Sequence, residues 1–331
     1  MLKKVLIALV AVVIALAGGA LALVHVYGPS YGIMLTGTPI FLVAPSPQKY
    51  ATTVLEATDL FALDADSPEY ADARARAVEA SKSATDYSDL HEPLKEALKT
   101  AGGKHSNFVS PQTRTDVAEK SPLVDPTVTV DGRVAIATVP EFDSYEGDPE
   151  KYANILAKGL DGAVSGGACG AVIDLRGNGG GDMGPMLAGL SPLLPDGMAL
   201  EFVGKHSVTP VIISGASVTG GGTPTGVEGV GKYTVPVAVL TDGDTASSGE
   251  ATALAFKGLA DARSFGAPTA GYASANMSFL MPDGALVMIT SAYDRDREGT
   301  TYGDDPIAPD EQADDALSAA RAWLSAEYGC R

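Results

Sequence analysis

Metal-ligating side chains are scarce in this chain: four histidines and two cysteines in 331 residues. His25, His91, His105 and His206 are scattered and no HExxH run occurs. Neither a structural nor a catalytic zinc site is therefore expected. Cys169 and Cys330 cannot form a metal cluster alone, and a disulfide framework is excluded. Cys169 opens an apolar run read as a buried strand, which makes it a packed free thiol. Basic residues are also few. The formal net charge is −18, and without Lys3 and Lys4 the remainder carries −20. That argues against a nucleic-acid partner, although it would suit a cationic one. There is no repeat of fixed period, no low-complexity tract, and no P-loop lysine after the glycine-rich run.

Against these absences stands one long apolar run. Lys3 and Lys4 precede an uncharged stretch from Val5 to about Val26. As a helix it would rise about 33 Å, enough to cross a bilayer core, with the two lysines inside and the rest of the chain outside. A cleaved signal peptide with Ala20-Leu21-Ala22 as its processing site is the rival reading. The length of the run favours an uncut anchor. His25, at the outer end, reads as an interfacial residue.

Beyond the span, residues 29–46 read as a linker. Helices are expected at about 47–63, 68–84 and 86–101, the last ending at Gly102-Gly103. The pattern then changes. TVTVDGRVAIATVP reads as a hairpin turning at Asp131-Gly132. A helix follows at 148–164, and CGAVIDL (169–175) and VPVAVL (235–240) are short apolar runs expected of buried strands. Further strands are expected near 263–266, 277–281 and 285–291, with a closing helix in ADDALSAARAWLSAEY. Strands alternating with helices imply an α/β core.

Three constellations could carry chemistry. The strand at 235–240 feeds TDGDTASSGE and a helix, so a Ser247 hydroxyl would sit at a helix N-terminus, where free N–H groups can stabilise an oxyanion. Ser247-Ser248-Gly249-Glu250 is equally an ordinary capping box. AVIDLRGNGGG joins a strand to a glycine-rich loop that lets backbone amides approach a ligand. Its dinucleotide spacing through Gly179, Gly181 and Gly184 is a weak signal, further weakened by Pro185. AGGKHSNF holds His105. A serine nucleophile needs a base. Lys257, the only lysine after Ser247, lies about 15 Å along the same expected helix, too far to serve. That leaves a histidine. His91 reads as a solvated helix residue, and the residues alone leave His105 and His206 as equal candidates.

DLRGNGGG followed by TASSGE resembles the S41 family of serine peptidases, the tail-specific or C-terminal processing peptidases. FLVAPSPQKY, GGKHSNF, VIDLRGNGGGDMGPMLAGLSPLLPDG, SSGEATALAF and GYASAN are closer still to the nisin-resistance branch of that family. The resemblance implies Ser247 as nucleophile and His105 as base, because Ala267 stands where most tail-specific peptidases carry lysine. It implies an oxyanion hole from the N–H groups of Gly180 and Ser248, a supporting role for Glu250, and groove positions at Asn276 and Met186. The implied fold is α/β: a transmembrane helix (1–28), the linker (29–46), a small helical bundle (47–104), and a ClpP/crotonase-like β-α-β peptidase core with a small cap (105–331). A PDZ domain has no room, since the residues before His105 read as helical. The implied partners are the membrane and a peptide substrate, a cationic lanthipeptide cut near its C-terminus, with no metal or organic cofactor. Processing of envelope proteins, or sequestration of the lanthipeptide without cleavage, are the alternatives.

Overall fold

The computed structural model describes residues 2–120 and 122–331. The side chains of Lys3 and Lys4, on which the expected orientation rests, lie outside what is described. Helix α1 (Leu2–Thr36) does not stop at residue 28: it continues through Pro29 into the stretch read as a linker. From Leu9 onward it is long and apolar enough to cross a membrane. Helices α2 (Pro47–Phe61) and α3 (Pro68–Ser83) begin alike. A serine N-cap, Ser46 or Ser67, accepts the N–H three residues on, and a proline fills the first helical position, where its missing N–H costs nothing. A short 3₁₀ turn at 87–90 leads into α4 (His91–Gly102), which ends on Gly103 at φ +74°. Strand β1 (Asn107–Val109) and helix α5 (Pro111–Lys120) follow.

The second stretch opens with the hairpin β2 (Thr127–Asp131) and β3 (Val134–Thr138), then α6 (Pro149–Ser165), β4 (Gly170–Asp174) and α7 (Met183–Leu190). Four strands not expected from the sequence come next: β5 (Gly197–Gly204), β6 (Val208–Ser214), β7 (Ser217–Thr219) and β8 (Thr225–Gly226). They form an antiparallel meander. The chain returns through β9 (Val237–Thr241), α8 (Ser248–Leu254), β10 (Ala262–Gly266), β11 (Ser274–Leu280), β12 (Leu286–Arg295), β13 (Glu311–Gln312) and α9 (Ala316–Tyr328).

These elements form two compact units, 1–120 with 276–291, and 121–275 with 292–331. Residues 105–120 and 276–291 thus fold with the bundle. In the first unit, α2 to α4 bury Tyr50, Leu55, Tyr70, Leu94 and Leu98 against Phe279, Val287 and Ile289. Tyr50 stacks on Tyr87 with ring centres 4.4 Å apart.

In the second unit the strands run in the order β13-β10-β9-β4-β3-β2, parallel except for β2. Helices α6 and α7 cover one face and α9 the other. Burial on both faces explains why β4 and β9 are apolar throughout rather than alternating. The free-thiol expectation is corrected here: Cys169 and Cys330 form a disulfide. Two residues distant in sequence gave no local sign of pairing. The fold brings the chain end to the start of β4, where the Arg133 N–H also donates to the Arg331 carbonyl at 2.8 Å.

Candidate active site

Strands β4 and β9 are parallel neighbours in register, with Asp174 opposite Leu240. Their C-terminal ends therefore deliver two loops to one edge of the sheet, the place where open α/β sheets bind ligands. One is the glycine loop 175–182, the other the loop 242–247 that carries the serine. The loops are bonded to each other. Thr245 Oγ1 donates to the Leu175 carbonyl (2.9 Å), the Ala246 N–H to the Asn178 carbonyl (2.9 Å), and the Gly177 N–H to Asp242 Oδ1 (3.0 Å). Ser248 Oγ donates to the Gly181 carbonyl (2.6 Å).

Ser247 stands where these loops meet. Its backbone, φ 53° and ψ −118°, makes it the only non-glycine residue at positive φ among the described residues. Such a conformation costs about 1–3 kcal/mol and persists only where the surroundings impose it. Gly180, at φ +105°, leaves the room: a Cβ there would lie 2.8 Å from the Cβ of Ser247. The Gly180 N–H, expected as an oxyanion donor, is already engaged with Asn178 Oδ1 at 2.8 Å. Among the described residues the Ser248 N–H forms no hydrogen bond and opens α8 beside Ser247.

Asn178 has a place in this wiring that sequence reasoning missed. It is fully buried, and its Nδ2 donates to the Val139 carbonyl at 2.8 Å. The side chain therefore fixes the glycine loop to the end of β3. Met186, expected in a groove, is itself fully buried beneath the loop, its sulfur 3.7 Å from Asn178 Nδ2 and 3.6 Å from Thr252 Oγ1. An apolar residue on the inner side of α7 packs; it does not line a surface.

Glu250 is fully buried and all its acceptor positions are used. Oε2 accepts the N–H of Ser247 (2.8 Å) and of Tyr272 (2.7 Å). Oε1 accepts the Gly271 N–H (3.0 Å) and the Thr269 hydroxyl. The carboxylate thus combines the cap expected of S-x-x-E with a tie to residues 269–272. Burial pushes its pKa up, and the four donors oppose that shift. Asp294, also buried, is held well above the usual carboxylate range by desolvation and by the charge on Glu250. Its Oδ1 has no hydrogen-bond partner among the described residues, as suits a neutral acid.

The remaining candidates divide between the units. His105 follows α4 in the first unit and is 9% exposed. Ser106 anchors that segment through bonds with Thr290 Oγ1 and N–H, both 2.9 Å. Asn276 Nδ2 reaches the His105 carbonyl at 3.4 Å. Burial, with Lys104 adjacent, lowers the His105 pKa from 6.5 to about 4, so the imidazole is neutral at pH 7. His206 lies exposed at the turn between β5 and β6. His91 is half-buried rather than solvated, its ring 5.0 Å from that of Phe108. Lys257 lies outside α8, which ends at Leu254, and pairs with Asp310 at 3.5 Å.

The model of peptidase family S41 matches residues 133–313, which include the glycine loop, Ser247 and Glu250. The chain belongs to peptidase family S41. It is a serine-type peptidase with a mixed α/β fold. Among relatives of this S41 peptidase is a nisin-resistance protein of Lactococcus lactis subsp. lactis, 36% identical over 98% of each chain. A lipoprotein of Streptococcus agalactiae superposes with a TM-score of 0.75 at 27% identity, covering 87% of this chain and 99% of the other. The photosystem II D1 C-terminal processing protease shares the fold at a TM-score of 0.54 and 14% identity, over 83% and 94% of the two chains.

Proposed function

We propose that this S41 peptidase is a membrane-anchored, extracytoplasmic enzyme that cleaves a cationic, nisin-like lanthipeptide near its C-terminus and so confers resistance to it. The observation that carries the chemistry is Ser247, held in a strained backbone at the start of α8 beside a glycine that leaves it room. The substrate rests on the 36% identity to the nisin-resistance protein along nearly the whole chain. In this reading His105, neutral at pH 7, takes the proton of Ser247 Oγ as it attacks the peptide carbonyl. The Ser248 N–H and an amide of the loop around Gly180 receive the oxyanion; as it collapses the C–N bond breaks, the leaving amine takes the proton from His105, and water then resolves the acyl-enzyme. Glu250 acts as a positioning residue, since its oxygens are filled by the Ser247 N–H and by the loop after β10. Asn276, beside the His105 backbone, contacts substrate.

The disulfide supports an extracytoplasmic site, because such bonds persist in oxidising compartments. The apolar α1 supports an anchor, and the net −20 charge beyond Lys4 suits a cationic peptide. Mass spectrometry of nisin incubated with the enzyme tests the reading. Shortened products are expected from wild type and none from Ser247→Ala. Undiminished cleavage by Ser247→Ala would refute the assigned nucleophile, and intact nisin with wild type would refute the substrate.

A further inference from the structure

The chain carries no Asp, Glu, Lys or Arg between Lys4 and Lys49. That is about twice what a membrane crossing requires, since some 20 apolar residues suffice. Helix α1 alone, 35 residues long, rises about 52 Å against a hydrocarbon thickness of about 30 Å. Counted from Val5, a crossing of about 20 residues ends near Val24. Ile33, further along, is already buried in the core of the bundle. Exit from the membrane and entry into the folded unit are thus separated by only two or three helical turns.

Beyond the helix the polypeptide comes back toward that exit. It reverses at Gly37, φ +73°, and runs alongside α1. The Ile40 N–H donates to the Gly28 carbonyl at 3.2 Å. A Cβ on Gly32 would lie 2.5 Å from the Thr38 carbonyl oxygen, and one on Gly28 2.8 Å from that of Ile40, so the two glycines make the groove that the returning strand fills. Lys49 Nζ then donates to the Val26 carbonyl at 3.4 Å. The segment from Ile40 to Lys49 is therefore tied at both ends to Gly28 and Val26, within about one helical turn of the expected exit near Val24. Between those points Ile40, Leu42 and Val43 are 42%, 45% and 63% exposed. Tyr27 and Tyr31 are exposed at the same level, and aromatic side chains with a polar tip favour the membrane interface.

We infer that the Ile40–Val43 segment is a hydrophobic wedge that inserts into the outer-leaflet lipids beside α1, pinning the bundle to the membrane surface. The inference rests on the proposed retention of α1 as an anchor. Electrostatics cannot supply this contact, because the outer part of the chain is strongly acidic and anionic lipids would repel it. Burial of exposed apolar side chains can. The wedge would hold the unit that carries His105 where a membrane-partitioning peptide arrives, rather than on a free tether.

Fluorescence quenching tests this in the full-length protein, reconstituted in nanodiscs of phosphatidylcholine and phosphatidylglycerol with or without brominated acyl chains. Trp323 is the only tryptophan, so the parent chain sets the baseline. Leu16→Trp reports the span, Leu42→Trp and Val43→Trp separately report the wedge, and Tyr145→Trp is the aqueous control. We expect brominated lipid to reduce the added emission at least about twofold at positions 16, 42 and 43 and to leave 145 unchanged. Quenching at 16 with 42 and 43 behaving like 145 overturns the wedge and leaves the anchor standing. No quenching at 16 overturns the anchor, and the wedge with it.

Discussion

The backbone of Ser247 and the imidazole of His105 are each shifted by their surroundings from what the isolated residue would adopt. For Ser247 the departure is conformational: a β-carbon at φ 53° is kept in place by Gly180 and by the bond from its N–H to Glu250. For His105 it is protonic, since burial removes the water that would stabilise the imidazolium. A base must be unprotonated to accept a proton, so activity dependent on His105 falls only as pH drops through about 4, where an unperturbed histidine would lose it near 6.5. The rate of Ser247 labelling by a fluorophosphonate, followed from pH 3 to 9, should show that low acid limb. Lys104→Ala should move the limb upward, because the neighbouring positive charge contributes to the lowering. A limb near 6.5 in wild type would remove His105 as the base. The same shift has a stability cost of the opposite sense. Between pH 6.5 and 4 the unfolded chain takes up a proton that the folded one refuses. Stability therefore falls with pH across that window, by roughly 3 kcal/mol at its acid end at 1.36 kcal/mol per unit.

The elements that hold the site are short, and their loops do the positioning. Helix α8 has only seven residues, so Ser247 depends on Glu250, which binds the helix start to the loop after β10. Glu250→Gln places an amide nitrogen against two of the four converging donors and leaves them unpartnered in a dry site. The expected cost is roughly 2–6 kcal/mol at about 1–3 per buried donor, together with a fall in the labelling rate of Ser247. A wild-type melting temperature and labelling rate in Glu250→Gln would show that the hub is dispensable.

Local features of this arrangement were readable from the chain. Ser46-Pro47 and Ser67-Pro68 start helices, Asp131-Gly132 turns a hairpin, and the uninterrupted apolar runs in β4 and β9 mark buried strands. What was not readable depends on distant partners. Strands β5 to β8 lack the clean alternation that would betray them, and most of β6 is open to solvent. The end of α8 at Leu254 comes after barely two turns of a composition that could continue. The groove position at Met186 rests on the resemblance alone, and its burial beside Asn178 and Thr252 depends on partners outside its own helix. Residues 269–272 and Asp294 meet Glu250 only through the fold, so nothing near TASSGE announced them.

Across the whole molecule, the disulfide is the constraint that sequence spacing concealed most fully. It joins residues 161 apart and fastens the end of α9 to the start of β4. Phe265 and Trp323, in the same core cluster as the bond, have ring centres 5.6 Å apart. On the chain-entropy view a cross-link of this span removes about 5 kcal/mol of freedom from the unfolded chain, with about 2–4 kcal/mol realised in typical proteins. Trp323 lies in the unit that carries the bond, so its fluorescence reports that unit's transition even if the bundle unfolds separately. Urea unfolding of the full-length protein in detergent should show this transition at lower urea after reduction, corresponding to about 2–4 kcal/mol. The double variant Cys169→Ser, Cys330→Ser should unfold like the reduced wild type and be insensitive to reductant. If the midpoint is the same with and without reductant, α9 is held by its packing against the sheet through Ala316, Ala320 and Leu324 and by its polar contacts, and the cross-link contributes nothing to stability.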